Sequence, residues 1–132
     1  MKFHYFEVYG KGESIRMTLH KAGVAFENLQ HKGDEWKEFK ASGVLRFGQM
    51  PMLELDDGTQ MYQTTAIINY LGEKHGLVPA DAMKKYQGQM LCEHFWNDVL
   101  QKLMKGIFMP DGEEKDKALK ESFEVHFPAY LK

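Results

Sequence analysis

The sequence predicts an α/β domain built on a mixed four-stranded sheet, in the order βαβ then ββα, followed by an all-helical segment. Three observations lead there. Strand-like runs at Lys2–Tyr9 and Ala25–Gln30 bracket a helical pattern, which makes the second strand parallel to the first through a right-handed crossover. Met52-Leu53-Glu54-Leu55 and Gln60-Met61-Tyr62 flank an Asp57-Gly58 turn, a strong hairpin signal. After Pro79 no strand pattern appears.

Taken in order, Phe3, Tyr5, Glu7 and Tyr9 share one face of the first strand at period two. Gly10-Lys11-Gly12 breaks it as a turn; Gly-x-Gly with no third glycine is weak evidence of a phosphate loop. A helix from Glu13 carries Ile15, Leu19 and Ala22 and closes at Gly23. Between His31 and Gly48 the chain is polar, with Asp34 as N-cap of a short helix that sets Trp36 and Lys40 at i and i+4, on one side. Thr64–Lys74 forms a helix that buries Ile67, Ile68 and Leu71 and stops at Gly76. The expected organisation is a domain over residues 1–76, a linker at 77–80, and a partial helical domain over 81–132. In that last part Asp81 caps a long helix with Met83, Tyr86, Met90, Leu91, Phe95, Val99, Leu103 and Ile107 on a wide apolar face. A final helix from Glu113 meets Pro128, which is expected to kink or stop it.

Composition narrows the function. Lys+Arg 17 against Asp+Glu 19 lacks the basic excess of a nucleic-acid binder. Glu7 comes too early for a secretory apolar core, and no run approaches a membrane span, so a cytoplasmic protein acting away from membranes is expected. The single cysteine, Cys92, lies mid-helix and is expected as an ordinary buried thiol. No metal is expected.

The stretch Phe47–Ala66 holds two binding devices. A proline opening a buried strand, here Pro51, is a common place for a cis peptide, a geometry that turns the N–H and C=O of Met50 outward for an extended ligand. The helix start at Thr64 offers unpaired N–H groups and a dipole to a carboxylate. Together they point to a small anionic peptide.

Several motifs now line up: Tyr5-Phe6 before Gly10 and Glu13-x-x-Arg16, Trp36 with Lys40, Phe47-Gly48-Gln49-Met50-Pro51, and Gln63-Thr64 before Ala66-Ile67-Ile68-x-Tyr70-Leu71. In this order the chain resembles a glutathione transferase, most similar to the Sigma class, closely over residues 1–76 and more loosely over 77–132. The resemblance implies a thioredoxin-like domain followed by a helical domain. A redox thioredoxin places Cys-x-x-Cys at its first helix, where this chain has no cysteine, so the thiol comes with the ligand.

The resemblance further implies that reduced glutathione is a co-substrate, with no tightly bound cofactor. Tyr5 is the expected catalytic residue, donating to the glutathione sulfur and favouring the thiolate; the Tyr5-Phe6 match favours it over Ser14, near which some related classes use a serine. Met50 before Pro51 would pair with the cysteinyl backbone, Gln63 and Thr64 would hold the γ-glutamyl carboxylate, and Trp36, Lys40 and Gln49 would meet the glycyl end. Phe6, Tyr9, Met104 and Phe108 are candidates for a second-substrate site, and Arg16 resembles a buried supporting arginine. Two residues depart from the pattern: Gln49 stands where lysine is common, and Thr64 where serine is commoner. The helical domain of the family continues beyond Lys132. The expected function is detoxifying conjugation of glutathione to small hydrophobic electrophiles by a homodimer. A weakly active or inactive ligand-binding or crystallin-like relative, or a prostaglandin-type isomerase, is the alternative.

Overall fold

Alternation along the first strand sorts the residues of the whole sheet. In β1 (Lys2–Tyr5), Phe3 and Tyr5 project to one face and His4 to the other, and all three are buried. The computed structural model describes residues 1–131, and the chain divides into two units, Met1–Val78 and a second that begins at Pro79. After β1 come α1 (Gly10–Lys21), β2 (Glu27–Gln30), α2 (Gly33–Ala41), β3 (Met52–Glu54), β4 (Gln60–Tyr62) and α3 (Thr64–Lys74). The sheet order is β2-β1-β3-β4, with β1 parallel to β2 and β3 antiparallel to β1 and β4. This is the mixed sheet of a thioredoxin-like domain.

On one face Phe3, Tyr5, Leu53 and Leu55 pack with Ile15 and Leu19 of α1 and Ile67 and Leu71 of α3 into a single buried cluster. Both helices end as their sequences require. The Val24 N–H donates to the Leu19 carbonyl and the Leu77 N–H to the Gly72 carbonyl, each past a left-handed glycine, Gly23 and Gly76. On the opposite face α2 is attached through rings. Phe39 stacks on His31 at 4.2 Å and on His4 at 5.0 Å between centroids.

Besides β2, which begins at Glu27 rather than Ala25, three boundaries differ from expectation, each for a local reason. β1 ends at Tyr5, so Glu7 and Tyr9 do not share its face. The carbonyls that a longer strand would present are taken by the Arg16 guanidinium, which donates to Phe6 (3.4 Å) and Val8 (3.2 Å). The next helix starts at Gly10 rather than Glu13, so Gly10-Lys11-Gly12 is a first helical turn and not a free-standing turn. Lys32, not Asp34, is the N-cap of α2; Asp34 lies inside the helix and pairs with Lys37 at 2.7 Å.

The second unit comprises α4 (Ala82–His94), a π-helical turn at Phe95–Val99, α5 (Leu100–Ile107), α6 (Glu113–Glu121), a second π-helical turn at Ser122–His126, and α7 (Phe127–Tyr130). Asp81 caps α4 by accepting the Lys84 N–H at 2.9 Å. A pair of antiparallel helices can bury only its inner line, here Val99, Gly106 and Ser122. Cys92 is therefore exposed, contrary to the buried thiol expected: α4 has no buried residue within this unit. Pro128 does not stop the helix. The chain widens into the π turn just before it and continues to Tyr130, because proline cannot donate the next helical bond and crowds the turn before it. Among the described residues no helix is long and apolar enough to cross a membrane.

Leu53 is fully buried at the centre of the sheet, whereas Met17 on α1 is 64% exposed. In urea unfolding followed by circular dichroism, Leu53→Ala is expected to cost about 2–5 kcal/mol. Met17→Ala should stay within about 0.5 kcal/mol.

Candidate functional site

The site begins where β1 runs out. Tyr5 is the last strand residue, and the fold turns its ring under the first turn of α1. The Lys11 N–H donates to the Tyr5 hydroxyl oxygen at 3.0 Å, so the phenol takes up one of the backbone donors left unpaired at a helix start. Two glycines make this approach possible. A Cβ on Gly12 would lie 2.3 Å from Tyr5 Cδ1, and one on Gly10 would lie 2.8 Å from the hydroxyl oxygen. With its oxygen accepting from Lys11, the hydroxyl keeps its own proton for an outside acceptor.

Arg16 braces the same corner. Its guanidinium donates to Glu13 (2.8 Å), to the Phe6 and Val8 carbonyls, and through Nε to Asn28 Oδ1 (3.2 Å). It also lies over the Phe3 and Tyr5 rings, 5.5 and 5.8 Å from their centroids. Arg16 thus ties the loop after β1 to α1 and β2 while its own charge is compensated.

From Tyr5 a line of contacts crosses to α2. Tyr5 meets Phe6 edge-on at 5.6 Å, Phe6 meets Trp36 at 5.0 Å, and Lys40 Nζ sits 5.7 Å from the Trp36 ring centroid. The i, i+4 spacing of Trp36 and Lys40 is realised on one helix face, and Lys40 Cε borders Gly48, next to the exposed Gln49. The Met50–Pro51 peptide is cis, Pro51 is buried, and Met50 packs half-buried against the core.

A second line runs through the hairpin. Phe47 meets Tyr62 edge-on at 6.0 Å, and the Tyr62 hydroxyl donates to the Val44 carbonyl at 2.7 Å, which anchors the α2–β3 connection to β4. Gln63 follows with φ 69 and ψ 117, a left-handed backbone that a non-glycine residue adopts only under constraint. It is the N-cap of α3 but gives no side-chain cap, so the first N–H groups of the helix stay open. Beside them, Thr64 Oγ1 is buried with no hydrogen-bond partner. A buried hydroxyl without a partner next to a helix N-terminus fits an acidic ligand group.

The structure thus joins Tyr5, Phe6, Trp36 and Lys40 through contacts, packs Met50 against the core ahead of the buried Pro51, and presents Gln63 and Thr64 at the start of α3. Others fall elsewhere. Tyr9 is 79% exposed at the N-cap of α1 rather than on the strand face with Tyr5. The Ser14 hydroxyl turns back to the Lys11 carbonyl at 3.2 Å. Met104 and Phe108 lie in the second unit, on α5 and at its C-cap, both exposed. Gly10, Gly12 and the Lys11 N–H were missed as site elements. Their one sequence signal was a Gly-x-Gly that begins five positions after Tyr5, the last residue of β1.

Comparisons with known proteins agree with the fold. Residues 12–79 match the family model described as glutathione S-transferase, N-terminal domain. Among curated proteins, glutathione S-transferase A of Cavia porcellus is 40% identical over 116 residues, 87% of this chain and 52% of its own length. A solved structure of prostaglandin synthase D of Nilaparvata lugens aligns with TM-score 0.84 at 32% identity, covering 98% of this chain and 63% of that one. A sigma class GST of Fasciola hepatica aligns with TM-score 0.82 at 27% identity, covering 98% and 62%. The chain spans a little over half the length of the curated relatives it matches.

The Tyr5 packing carries a direct expectation. Gly12→Ala must push the phenol off the helix start, at a cost of about 1–3 kcal/mol in chemical unfolding. The Lys11 amide should then lose its protection from hydrogen exchange.

Proposed function

Because the chain belongs to the glutathione S-transferase family, we propose that its first unit binds reduced glutathione and that Tyr5 donates a hydrogen bond to the glutathione sulfur, holding it as a thiolate for addition to small hydrophobic electrophiles. The observation that carries this is the Tyr5 hydroxyl itself, which accepts from the Lys11 N–H and has its own proton left to give. A free thiol ionises near 8.5, and lowering that by about two units takes roughly 2.7 kcal/mol. One preorganised donor in a partly dry site supplies about that amount.

The remaining contacts follow the peptide. Its γ-glutamyl carboxylate is assigned to the open N–H groups of α3, with Thr64 Oγ1 gaining the partner it lacks and the Gln63 backbone set toward it. The backbone of Met50, ahead of cis Pro51, is assigned to the cysteinyl residue as a short added strand. Trp36, Lys40 and Gln49 are assigned to the glycyl carboxylate. An exposed lysine ion pair contributes only about 0–1 kcal/mol, so Lys40 steers more than it holds. Phe6, half-buried between Tyr5 and Trp36, is assigned to the electrophile side, with Tyr9 as a further candidate.

A second reading, glutathione-assisted isomerisation of a prostaglandin-type endoperoxide, is favoured by the likeness to the Nilaparvata lugens structure. The two differ in whether glutathione is consumed. We also propose a homodimer, on the ground that Met83, Tyr86, Met90 and Leu91 leave α4 with an exposed apolar face. Sedimentation at micromolar concentration should return twice the chain mass; a monomer would count against this assembly.

The decisive measurement is steady-state conjugation of glutathione to an activated aryl halide. Tyr5→Phe should lower kcat/KM by about 10²–10³-fold and leave the affinity for S-methylglutathione within about threefold. Thr64→Val should instead weaken S-methylglutathione binding, by about 1–3 kcal/mol. Unchanged turnover in Tyr5→Phe would remove Tyr5 from the mechanism.

A further inference from the structure

The face of the sheet opposite Tyr5 carries a ring stack that glutathione chemistry does not use. His4 projects there from β1, one residue before Tyr5, and is 7% exposed. His4 Nδ1 and His31 Nε2 lie 3.0 Å apart, their rings stack at 5.2 Å, and Phe39 of α2 stacks on both. This stack ties α2, which carries Trp36 and Lys40, to the sheet.

The pair holds one proton between the facing nitrogens and no more. His4 Nε2 is buried with no partner, so it is better left as a bare lone pair than as an unpaired N–H. His4 Nδ1–H then donates to His31 Nε2. A further proton has two places to go. On His4 Nε2 it creates a buried charged donor without an acceptor; on His31 Nε2 it sets N–H against N–H. Burial lowers the proton affinity of both rings, and for His4 the adjacent His31 lowers it further. The charges facing them are mixed. Lys2 on β1 opposes protonation of His4, while Glu54 on β3 and Glu27 on β2 favour it. For His31, Glu35 on α2 favours protonation, and Glu38 borders the same surface. Lys32, next in sequence, is engaged by Glu7 at 2.9 Å.

We propose that the His4–His31–Phe39 stack positions α2 for ligand binding and releases it on acidification, so that affinity at the Trp36–Lys40 end falls as the pH drops. The part of this that concerns affinity rests on the glutathione reading above. The sign follows from where protons are excluded. The loosened state takes up protons near the ordinary histidine value of about 6.5, and the packed state takes them up only at lower pH. Stability of the α2 attachment is complete above about pH 6.5 and is lost as pH falls below it. At pH 5.5 each excluded proton shifts the balance toward release by roughly tenfold.

The test is amide hydrogen exchange of the whole chain at pH 7.5 and 5.5, corrected for intrinsic chemical exchange, alongside calorimetric titration with S-methylglutathione, whose sulfur has no proton to lose. In the native protein, protection over Gly33–Ala41 should fall about tenfold or more relative to α1 and α3, and the affinity for S-methylglutathione should fall with it. His4→Phe combined with His31→Gln, which removes both titrating rings, should abolish the acid step; His31→Gln alone should reduce it, and serves if the double variant does not fold. Protection of α2 that stays within twofold between the two pH values in the native chain, or the same fall in the variants, overturns the proposal. A fall in protection with equal affinity at both pH values overturns the link from α2 to binding. The same fall with no binding at either pH supports the stack as the α2 attachment and overturns the glutathione reading instead.

Discussion

The closeness of one aromatic ring to one turn of helix is the constraint on which this site depends. Tyr5 can reach the Lys11 N–H only because positions 10 and 12 carry no side chain, and the ring in turn occupies the space that would otherwise be a void under α1. The phenol is therefore a core residue and a hydroxyl with its own proton left to give at once. Arg16 completes the arrangement by lying over the rings of Phe3 and Tyr5 and binding the loop carbonyls that follow. A hydroxyl held in this way needs little reorganisation to meet a ligand, which is the condition under which a single donor counts for most.

Much of this was legible in the chain, and the failures are local. Alternation in Lys2–Tyr5, the helical spacing of Ile15 and Leu19, the Asp57-Gly58 turn and the closing glycines 23 and 76 carry enough signal for the sheet order and the helices around it, because burial on a pleated or helical face leaves a period. The end of β1 was not legible. What stops it is a guanidinium reaching back from Arg16, a contact that leaves no periodic pattern in the sequence. The N-cap of α2 failed for a related reason: Asp34 is a good capping residue, yet the helix begins ahead of it without a side-chain cap. Cys92 was misjudged because the average fate of a free cysteine says nothing of how much of a helix its own unit covers. Pro51 and the Gln63–Thr64 pair could be found, since a proline before a strand and a hydroxyl at a helix start have chemical meanings of their own.

At the start of α3 three breaks of local rules fall on consecutive positions. Gln63 accepts a left-handed backbone, Thr64 buries a hydroxyl with nothing to bind, and α3 starts without a cap. Each alone would be a small defect. Together they lie at one helix start, and a ligand carboxylate would relieve the last two at once.

The π-helical turn at Phe95–Val99 has a consequence for how the second unit is wound. From Leu91 the apolar residues recur at every fourth position, through Phe95, Val99 and Leu103 to Ile107. On an ideal α-helix of 3.6 residues per turn such a series would drift by about 40° in azimuth at every step and spiral off its partner. A wider turn rotates each residue by less, so a four-residue step across it drifts backward by about 30°. The π turn therefore takes back most of one such step, so the series meets its partner at Val99, the buried residue at the close of the turn, while Leu91 and Ile107 at its ends are exposed. A four-residue apolar spacing thus holds its face only across the step that contains the widened turn.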